Sequence, residues 1–124
     1  MSSLLIVNAD DFGLEEEVNL AVIKAHKEGI VTSTSLLATG NAFEHAVSLA
    51  KAHPSLAVGA HLALTRGASL AGAPLTGMHG SSVPDKTGLF PQNPSLLALR
   101  TVIGAVHLDA VETEFRAQMQ KIAQ

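Results

Sequence analysis

Residues 4–13 read LLIVNADDFG, and this stretch indicates the fold class most clearly. Its first part, residues 4–7, is an uninterrupted apolar run, which is typical of a strand that is buried on both faces. The polar residues 8–13 end the run and place two adjacent carboxylates directly after it. Strands buried on both faces occur mostly in parallel sheets covered by helices, so residues 4–7 predict the first strand of an α/β protein.

Helical and extended patterns alternate after this strand. Apolar residues recur at helical spacing over residues 14–28, and acidic residues fill the first turn, where the helix dipole favours them. Residues 30–38 are rich in β-branched side chains and predict a second strand. Asn41 is placed to cap a second helix, and residues 56–65 predict a third strand. The alternation predicts βαβ units in a parallel sheet, either open or closed into a barrel.

The second half of the chain is less regular. Residues 66–95 contain four of the five Pro and five of the ten Gly residues, which predicts a long loop. Helical segments are predicted at residues 96–106 and from Leu108 onward. The apolar face of the last helix would consist of Leu108, Val111, Phe115, Met119 and Ile122. This helix runs to Gln124 without a cap or a following strand, so we expect residues 1–124 to be a single domain that stops in mid-fold.

The composition restricts the class of protein. Of the 124 residues, 47% are hydrophobic and 15% are charged, which is typical of a folded domain. The absence of cysteine excludes disulfides and thiolate metal sites. A net charge of −3 and an aromatic content of 3% argue against nucleic acid as a partner. No segment has the length of a membrane span or the pattern of a signal peptide, so we expect a cytoplasmic protein without a membrane partner.

Two adjacent carboxylates, Asp10 and Asp11, follow the first predicted strand. Ligands of parallel α/β folds bind beyond the carboxyl ends of the strands, where one carboxylate can bind a cation and the other can accept a proton from water. The alternative is that one Asp caps the next helix, which accounts for one carboxylate but not for two. Residues 11–13 also match the kinase DFG triplet, but the other kinase motifs are absent, so we exclude a kinase.

His61 is the next candidate. In the alternating strand predicted over residues 56–65 it shares a face with Ala57 and Gly59, so it projects from a face of small residues. A single His in an apolar strand is more often a structural core residue. Its position at the same end of the sheet as the carboxylates favours a metal site, because His and carboxylate together commonly bind divalent cations. We interpret most hydroxyls of residues 32–35 as side chains that suit a crowded sheet.

Three stretches together resemble the YdjC-like carbohydrate deacetylases, the family that includes the chitooligosaccharide deacetylases. They are residues 5–13 (LIVNADDFG), 29–35 (GIVTSTS) and 55–65 (SLAVGAHLALT). Their order and spacing fit the family over essentially the whole chain, and the NADDFG block is quite specific. The resemblance implies a parallel (β/α) barrel-like fold, with this chain as the N-terminal half of a (β/α)7-type barrel.

The resemblance also implies a divalent metal ion, Mg²⁺ or Zn²⁺, with Asp11 and His61 as ligands and Asp10 as the general base. In that chemistry the metal acidifies a water, Asp10 takes its proton, and hydroxide attacks the carbonyl carbon of an N-acetyl group on a sugar such as a chitooligosaccharide. The family's third ligand and general acid lie in a second-half segment that this sequence lacks. His107 does not replace them, because it precedes the last helix. The long loop at residues 66–95 would help to cover the sugar.

Two alternatives remain open. Because the third ligand is missing, the chain can be a non-catalytic half barrel that binds a small carbohydrate or forms a homo-oligomer through its sheet edges. It can also be an unrelated phosphatase-like or receiver-like domain, which places an acidic pair after its first strand as well. Such a domain binds Mg²⁺ without His61, so replacing His61 with Ala distinguishes it from a deacetylase.

Overall fold

The computed structural model describes residues 3–72, 88–90, 93–104 and 106–124. In these residues the elements follow the order β1 (Asn8–Phe12), α1 (Glu16–Glu28), β2 (Ser33–Leu36), α2 (Phe43–Ala52), β3 (Ala57–Ala60), α3 (Pro94–Val102) and α4 (Leu108–Ile122). The chain divides into two compact units, Met1–His61 and Leu62–Gln124. Within the described ranges, no helix combines the length and the apolar character needed to cross a membrane.

The first unit contains a parallel sheet with the strand order β1-β2-β3. Asn8 pairs with Ser33, which pairs in turn with Ala57. Helix α1 connects β1 to β2, and helix α2 connects β2 to β3, as parallel neighbours require. The predicted α/β class with βαβ units is therefore confirmed, whereas closure into a barrel stays a prediction.

The two faces of this sheet differ in polarity. Thr34 and Leu36 of β2 are buried, whereas Ser33 and Ser35 are only partly buried. Because side chains alternate along a strand, Thr34 and Leu36 belong to the core face and the two serines to the opposite face. Helices α1 and α2 supply further core residues: Val22, Ile23, Phe43 and Ala46. One face of the sheet is thus covered by apolar packing, and the other is polar and accessible.

The first strand begins later than its apolar sequence predicts. Residues 4–6 are each at least 77% exposed and precede β1, so the prediction of a buried strand at residues 4–7 is wrong. Pairing starts at the Val7 carbonyl, which accepts hydrogen bonds from the amides of Thr32 and Ser33. The position of β2 therefore sets where β1 begins, and apolar composition alone does not.

The other two strands are also shorter than predicted. β2 covers Ser33–Leu36 instead of residues 30–38, and β3 covers Ala57–Ala60 instead of residues 56–65. β2 and β3 pair residue by residue over their full lengths and end together. Beyond those ends single hydrogen bonds follow, from the Leu37 amide to the Phe12 carbonyl and from the His61 amide to the Leu36 carbonyl.

The helices of the first unit agree better with the sequence. Helix α1 begins two residues later than predicted and ends at Glu28 as predicted, with Gly29 as its C-cap. The predicted cap of α2 is wrong, because Ala42, not Asn41, occupies the N-cap position and no side chain caps the helix. The Ala42 amide instead donates to the Gly13 carbonyl at 3.0 Å. The start of α2 is therefore fixed by the loop after β1 rather than by an Asn side chain.

The second unit is built around a short antiparallel contact and two helices. Ala68 and Leu89 form an isolated bridge within the predicted loop, and most of residues 73–92 lies outside the described residues. Phe90 is 4% exposed and packs against Leu64, Ala110 and Val111. The described parts of residues 66–93 contain no helix, in agreement with the predicted loop. The predicted segment 96–106 is helix α3, which begins earlier, at Pro94, because the Asn93 side chain accepts a bond from the Ser95 amide.

Helix α4 buries polar residues where an apolar face was predicted. Leu108 is 78% exposed and Met119 is 46% exposed, whereas Glu114 and Gln118 are at most 1% exposed. The Glu114 carboxylate accepts hydrogen bonds from Ser69 Oγ at 2.7 Å and from neighbouring backbone amides. The Gln118 side chain bonds both the amide and the carbonyl of Ala63. Helix α4 thus holds the segment 63–71 through two polar side chains.

Candidate functional site

The three residues predicted for the site come together at the carboxyl edge of the sheet. Asp10 and Asp11 lie in the second half of β1, and His61 directly follows β3. The His61 amide donates to the Leu36 carbonyl at 2.9 Å, which continues the pairing with β2 by one residue. Ser35 of β2 lies between the two outer strands. The predicted juxtaposition of a carboxylate pair with a histidine is therefore observed.

Asp10 is held by two neutral donors. Ser35 Oγ donates to Asp10 Oδ1 at 2.7 Å, and Asn8 Nδ2 donates to the same oxygen at 2.8 Å. Ser33 Oγ supports Asn8 by donating to its Oδ1 at 2.8 Å. In the described part of the chain no hydrogen bond reaches Asp10 Oδ2. One oxygen of this carboxylate is fixed, and the other remains open to accept a proton.

Asp11 has an unusual backbone conformation. Its φ of 62° lies in the left-handed region, and no other non-Gly residue among those described has a positive φ. The pairing of β1 with β2 is irregular between Ala9 and Phe12, on either side of Asp10 and Asp11. Such an irregularity breaks the strict alternation of side chains along the strand. The carboxylates of Asp10 and Asp11 can therefore both lie at the carboxyl edge of the sheet instead of pointing to opposite faces.

His61, which follows β3, contacts residues of both β2 and β1. Its Nδ1 lies 3.1 Å from Ser35 Oγ and 3.4 Å from the Asp11 amide nitrogen. Its Nε2 lies 3.8 Å from Asp11 Oδ1, and the two side chains are 28% and 48% exposed respectively. The ring is therefore positioned by Ser35 on one side and faces the Asp11 carboxylate on the other.

The separation between His61 and Asp11 fits a shared cation. Bonds from Zn²⁺ to His nitrogen or carboxylate oxygen measure about 2.0–2.2 Å, so two of them can reach roughly 4 Å between ligand atoms. The 3.8 Å between Nε2 and Oδ1 lies within that reach. Among the described residues, no group of three His, Cys, Asp or Glu side chains is arranged to hold a metal. The described residues at the carboxyl edge of the sheet thus offer two ligand atoms for a cation, Asp11 Oδ1 and His61 Nε2.

Asn19 joins the loops that follow β1 and β2. It is fully buried on α1, where Oδ1 accepts from the Gly13 amide at 2.6 Å. Its Nδ2 donates to the Ala42 carbonyl at 3.0 Å and contacts His45 Nδ1 at 3.3 Å. The same two loops approach so closely that a Cβ on Gly40 would overlap the Gly13 carbonyl. Asn19 therefore fixes the turn that directly follows Asp11.

Sequence reasoning missed the roles of Ser35 and Asn19. The interpretation of the strand hydroxyls as structural fits Thr34, whose Oγ1 donates to the Ala9 carbonyl, but not Ser35, which contacts two predicted site residues. A usable sequence signal for Ser35 is its position between Thr34 and Leu36, because alternation along the strand places Ser35 on the opposite face of the sheet from these two residues. For Asn19 the signal is its place one turn before Val22 on the apolar face of α1.

The sequence model of the family described as YdjC-like protein matches residues 4–124. A protein named carbohydrate deacetylase from Brevibacillus brevis is 45% identical over 115 residues, which are 93% of this chain and 42% of that protein.

A crystal structure from Enterococcus faecalis V583, which carries the name cellobiose-phosphate cleavage protein, is 35% identical and superposes with a TM-score of 0.71. The alignment covers 94% of this chain and 42% of that chain. The present chain therefore spans less than half the length of these two relatives. Since the family model covers nearly all of its residues and the NADDFG segment lies at the carboxyl edge of a parallel sheet, the chain belongs to the YdjC-like protein family.

Proposed function

We propose that this chain carries part of the active site of a metal-dependent carbohydrate deacetylase, a hydrolase that removes N-acetyl groups from a sugar such as a chitooligosaccharide. The observation that carries the proposal is the convergence of Asp10, Asp11 and His61 on one edge, with Asp11 Oδ1 and His61 Nε2 3.8 Å apart. The name of the relative from Brevibacillus brevis supports the reaction class.

In this proposal Asp11 and His61 hold the divalent cation, Zn²⁺ or Mg²⁺. A cation there, when bound, supplies positive charge that acidifies a water molecule and stabilises negative charge developing on a carbonyl oxygen. The two side chains suit this role, because a carboxylate and a neutral imidazole are ordinary ligands of such ions. Further ligands would come from outside the described residues or from solvent.

Asp10 serves as the general base. Its Oδ1 is fixed by Ser35 and Asn8, so the carboxylate keeps one orientation. Its open Oδ2 accepts the proton of the attacking water, and the resulting hydroxide adds to the carbonyl carbon of the N-acetyl group. The bond to the amine then breaks, and the amine leaves with a proton from an acid that the described residues do not supply. General base catalysis of this kind contributes about 10²–10⁴-fold in rate.

The accessible face of the sheet leaves room for a sugar. On this face Ala57 and Gly59 of β3, which pair with Ser33 and Ser35, are exposed and small. Ser33 and Ser35 add hydroxyl groups on the polar face. Small side chains beside polar groups suit a hydroxyl-rich ligand, which is consistent with a carbohydrate substrate.

The test is acetate release from an N-acetylglucosamine oligosaccharide, measured with the whole chain in the presence of Zn²⁺ or Mg²⁺. We expect Asp10→Asn to lower the rate by at least about 100-fold, because the amide cannot take up the proton. Asp109→Asn, which changes an exposed carboxylate at the start of α4, is the matched control and should keep the parent rate. Equal rates for the parent and Asp10→Asn would contradict the proposal.

A second candidate function is sugar binding without turnover. It is favoured by the composition of the site, since the described residues contain no group of three His, Cys, Asp or Glu side chains arranged to hold a metal ion. In that case calorimetry would detect binding of the oligosaccharide, and no acetate would be released by the parent chain.

A further inference from the structure

We propose that Ser35 is a positioning residue that holds His61 in the tautomer with the proton on Nδ1 and a free lone pair on Nε2. The tautomer itself does not depend on the proposed function. Its consequence for metal binding rests on the proposed function, in which His61 is a metal ligand. The structural basis of the tautomer is that one hydroxyl group contacts both Asp10 and His61. Ser35 Oγ lies 2.7 Å from Asp10 Oδ1 and 3.1 Å from His61 Nδ1.

The number of available protons determines the tautomer. A serine hydroxyl has a single proton to donate, and an ionised carboxylate can only accept. At 2.7 Å the contact between Ser35 Oγ and Asp10 Oδ1 therefore uses the hydroxyl proton. Ser35 then has only lone pairs to offer to His61, so the proton between them must come from Nδ1. A neutral imidazole has one N–H, and consequently Nε2 is left as an acceptor.

One contact opposes this assignment. The Asp11 amide lies 3.4 Å from His61 Nδ1 and would need Nδ1 to be an acceptor. That distance exceeds the usual 2.7–3.2 Å range of a hydrogen bond from an N–H group. If Nδ1 accepted the Ser35 proton, two oxygens 2.7 Å apart, one of them charged, would face each other without a hydrogen between them. The charge-assisted bond to Asp10 is stronger than the long amide contact, so Nδ1–H prevails.

The tautomer matters because Asp11 favours the opposite one. Asp11 Oδ1 lies 3.8 Å from His61 Nε2, and its negative charge attracts a proton onto that nitrogen. An Nε2–H group cannot bind a cation through a lone pair, whereas a free Nε2 can. The two carboxylates thus compete for the ring, Asp10 through Ser35 and Asp11 directly. Ser35 decides the competition in favour of the form of His61 that can share a cation with Asp11.

The tautomer can be measured without metal and without activity. Long-range ¹H–¹⁵N correlation spectra of the ¹⁵N-labelled whole chain, recorded without metal at a pH where His61 is neutral, report which ring nitrogen carries the proton. We expect Nδ1–H in the parent and in Ser35→Thr, which keeps the hydroxyl, and a shift toward Nε2–H in Ser35→Ala. Ser33→Ala is the matched control, because Ser33 lies on the same face and donates to Asn8 rather than to His61.

A second readout is the dissociation constant for Zn²⁺ measured by calorimetry. Loss of the partner of a metal-binding histidine typically weakens affinity 10- to 100-fold, so we expect that range for Ser35→Ala and less than about twofold for Ser33→Ala. If Ser35→Thr binds Zn²⁺ as tightly as the parent, the loss of affinity in Ser35→Ala is due to the missing hydroxyl and not to altered packing. Circular dichroism confirms that each variant is folded.

Two results would overturn the proposal: an Nε2–H tautomer in the folded parent, or the same tautomer in the parent and Ser35→Ala. Both can be read whether or not the chain releases acetate. Failure of the deacetylase proposal is therefore distinguishable from failure of this one.

Discussion

Asp11 combines a strained backbone with a predicted ligand role. Its φ of 62° lies where an L-residue pays a cost of about 1–2 kcal/mol, and Asp bears that cost better than most because its short polar side chain can bond locally. The conformation places the carboxylate beside His61 instead of on the core face. Strain at this position is therefore linked to the geometry of the site.

Substitution at Asp11 should separate strain from function. We expect Asp11→Gly to be more stable than Asp11→Ala by about 1 kcal/mol, because only Gly adopts this φ without steric cost. Urea unfolding followed by circular dichroism measures the difference, since the chain has no Trp or Tyr for fluorescence. Both variants should bind Zn²⁺ more weakly than the parent. An Ala variant as stable as the Gly variant would contradict the left-handed conformation.

The hydrogen bonds to the Glu114 carboxylate predict that the free energy of unfolding depends on pH. Burial raises the pKa of this carboxylate, but hydrogen bonds from Gln118, Ala71, Ser69 and Leu70 together lower it below the ordinary 4.5. A carboxyl group with a lowered pKa in the folded state stabilises that state above the unfolded pKa, and the contribution is lost as the pH falls through the folded pKa. Stability should therefore decline as the medium becomes more acidic than about pH 4.5.

The matched variants for Glu114 lie on the same helix. Glu114→Gln should lower the free energy of unfolding at neutral pH by about 1–3 kcal/mol and flatten its acid dependence, because bonds to a charged acceptor are replaced by weaker ones. Glu112→Gln removes an exposed carboxylate paired with Arg116 and should change stability by less than about 1 kcal/mol. Urea titrations at several pH values measure both effects. An unchanged acid dependence in Glu114→Gln would refute the assignment.

At the scale of elements, Asn19 connects α1 to the loops after β1 and β2. Asn19→Ala would leave the Gly13 amide without its side-chain partner, whereas the Ala42 carbonyl would keep its hydrogen bond from the Ala46 amide. A buried polar group without a partner costs about 1–3 kcal/mol, so we expect a loss in that range in the free energy of unfolding. The control is Asn41→Ala, which should cost less than about 0.5 kcal/mol because Asn41 is exposed and is not the cap.

The stabilities of the Asn19 and Asn41 variants test whether the start of α2 is fixed as in the structure or capped by Asn41 as the sequence predicts. If the cap predicted from the sequence were correct, Asn41→Ala would cost about 0.5–2 kcal/mol. A larger loss at residue 41 than at residue 19 would therefore contradict the arrangement of the α2 start. Chemical denaturation of both variants under identical conditions provides the comparison.

The order of strands and helices could be predicted from the sequence because it depends on periodicity and on breakers such as Gly29. The extents of the strands could not, because a strand ends where its neighbour ends, as β3 does at Ala60 beside Leu36. The closeness of the carboxylate pair to His61 could be predicted because the carboxyl ends of parallel strands lie at one edge of the sheet. The bulge at Asp11 was not found, since it arises from pairing with β2 and no local pattern encodes it.

At the scale of the whole molecule, the described three-stranded sheet has two open edges, β1 and β3. Large apolar side chains are also exposed, among them Leu4, Leu5, Ile6, Val102 and Leu108. Unpaired edges and exposed apolar residues favour association, so we predict that the chain forms homo-oligomers. Sedimentation velocity should give a mass above the 12.8 kDa of one chain. A monomer mass at every concentration tested would contradict this prediction.

Calorimetric titration of the whole chain with Zn²⁺ determines whether Asp11 and His61 share a divalent cation. We predict binding of about one ion per chain, weakened at least 10-fold by His61→Ala and unchanged by His53→Ala, whose Nδ1 bonds the Leu49 carbonyl away from the sheet edge. Equal affinity in the parent and in His61→Ala, or no binding by the parent, would contradict a cation shared by these two residues.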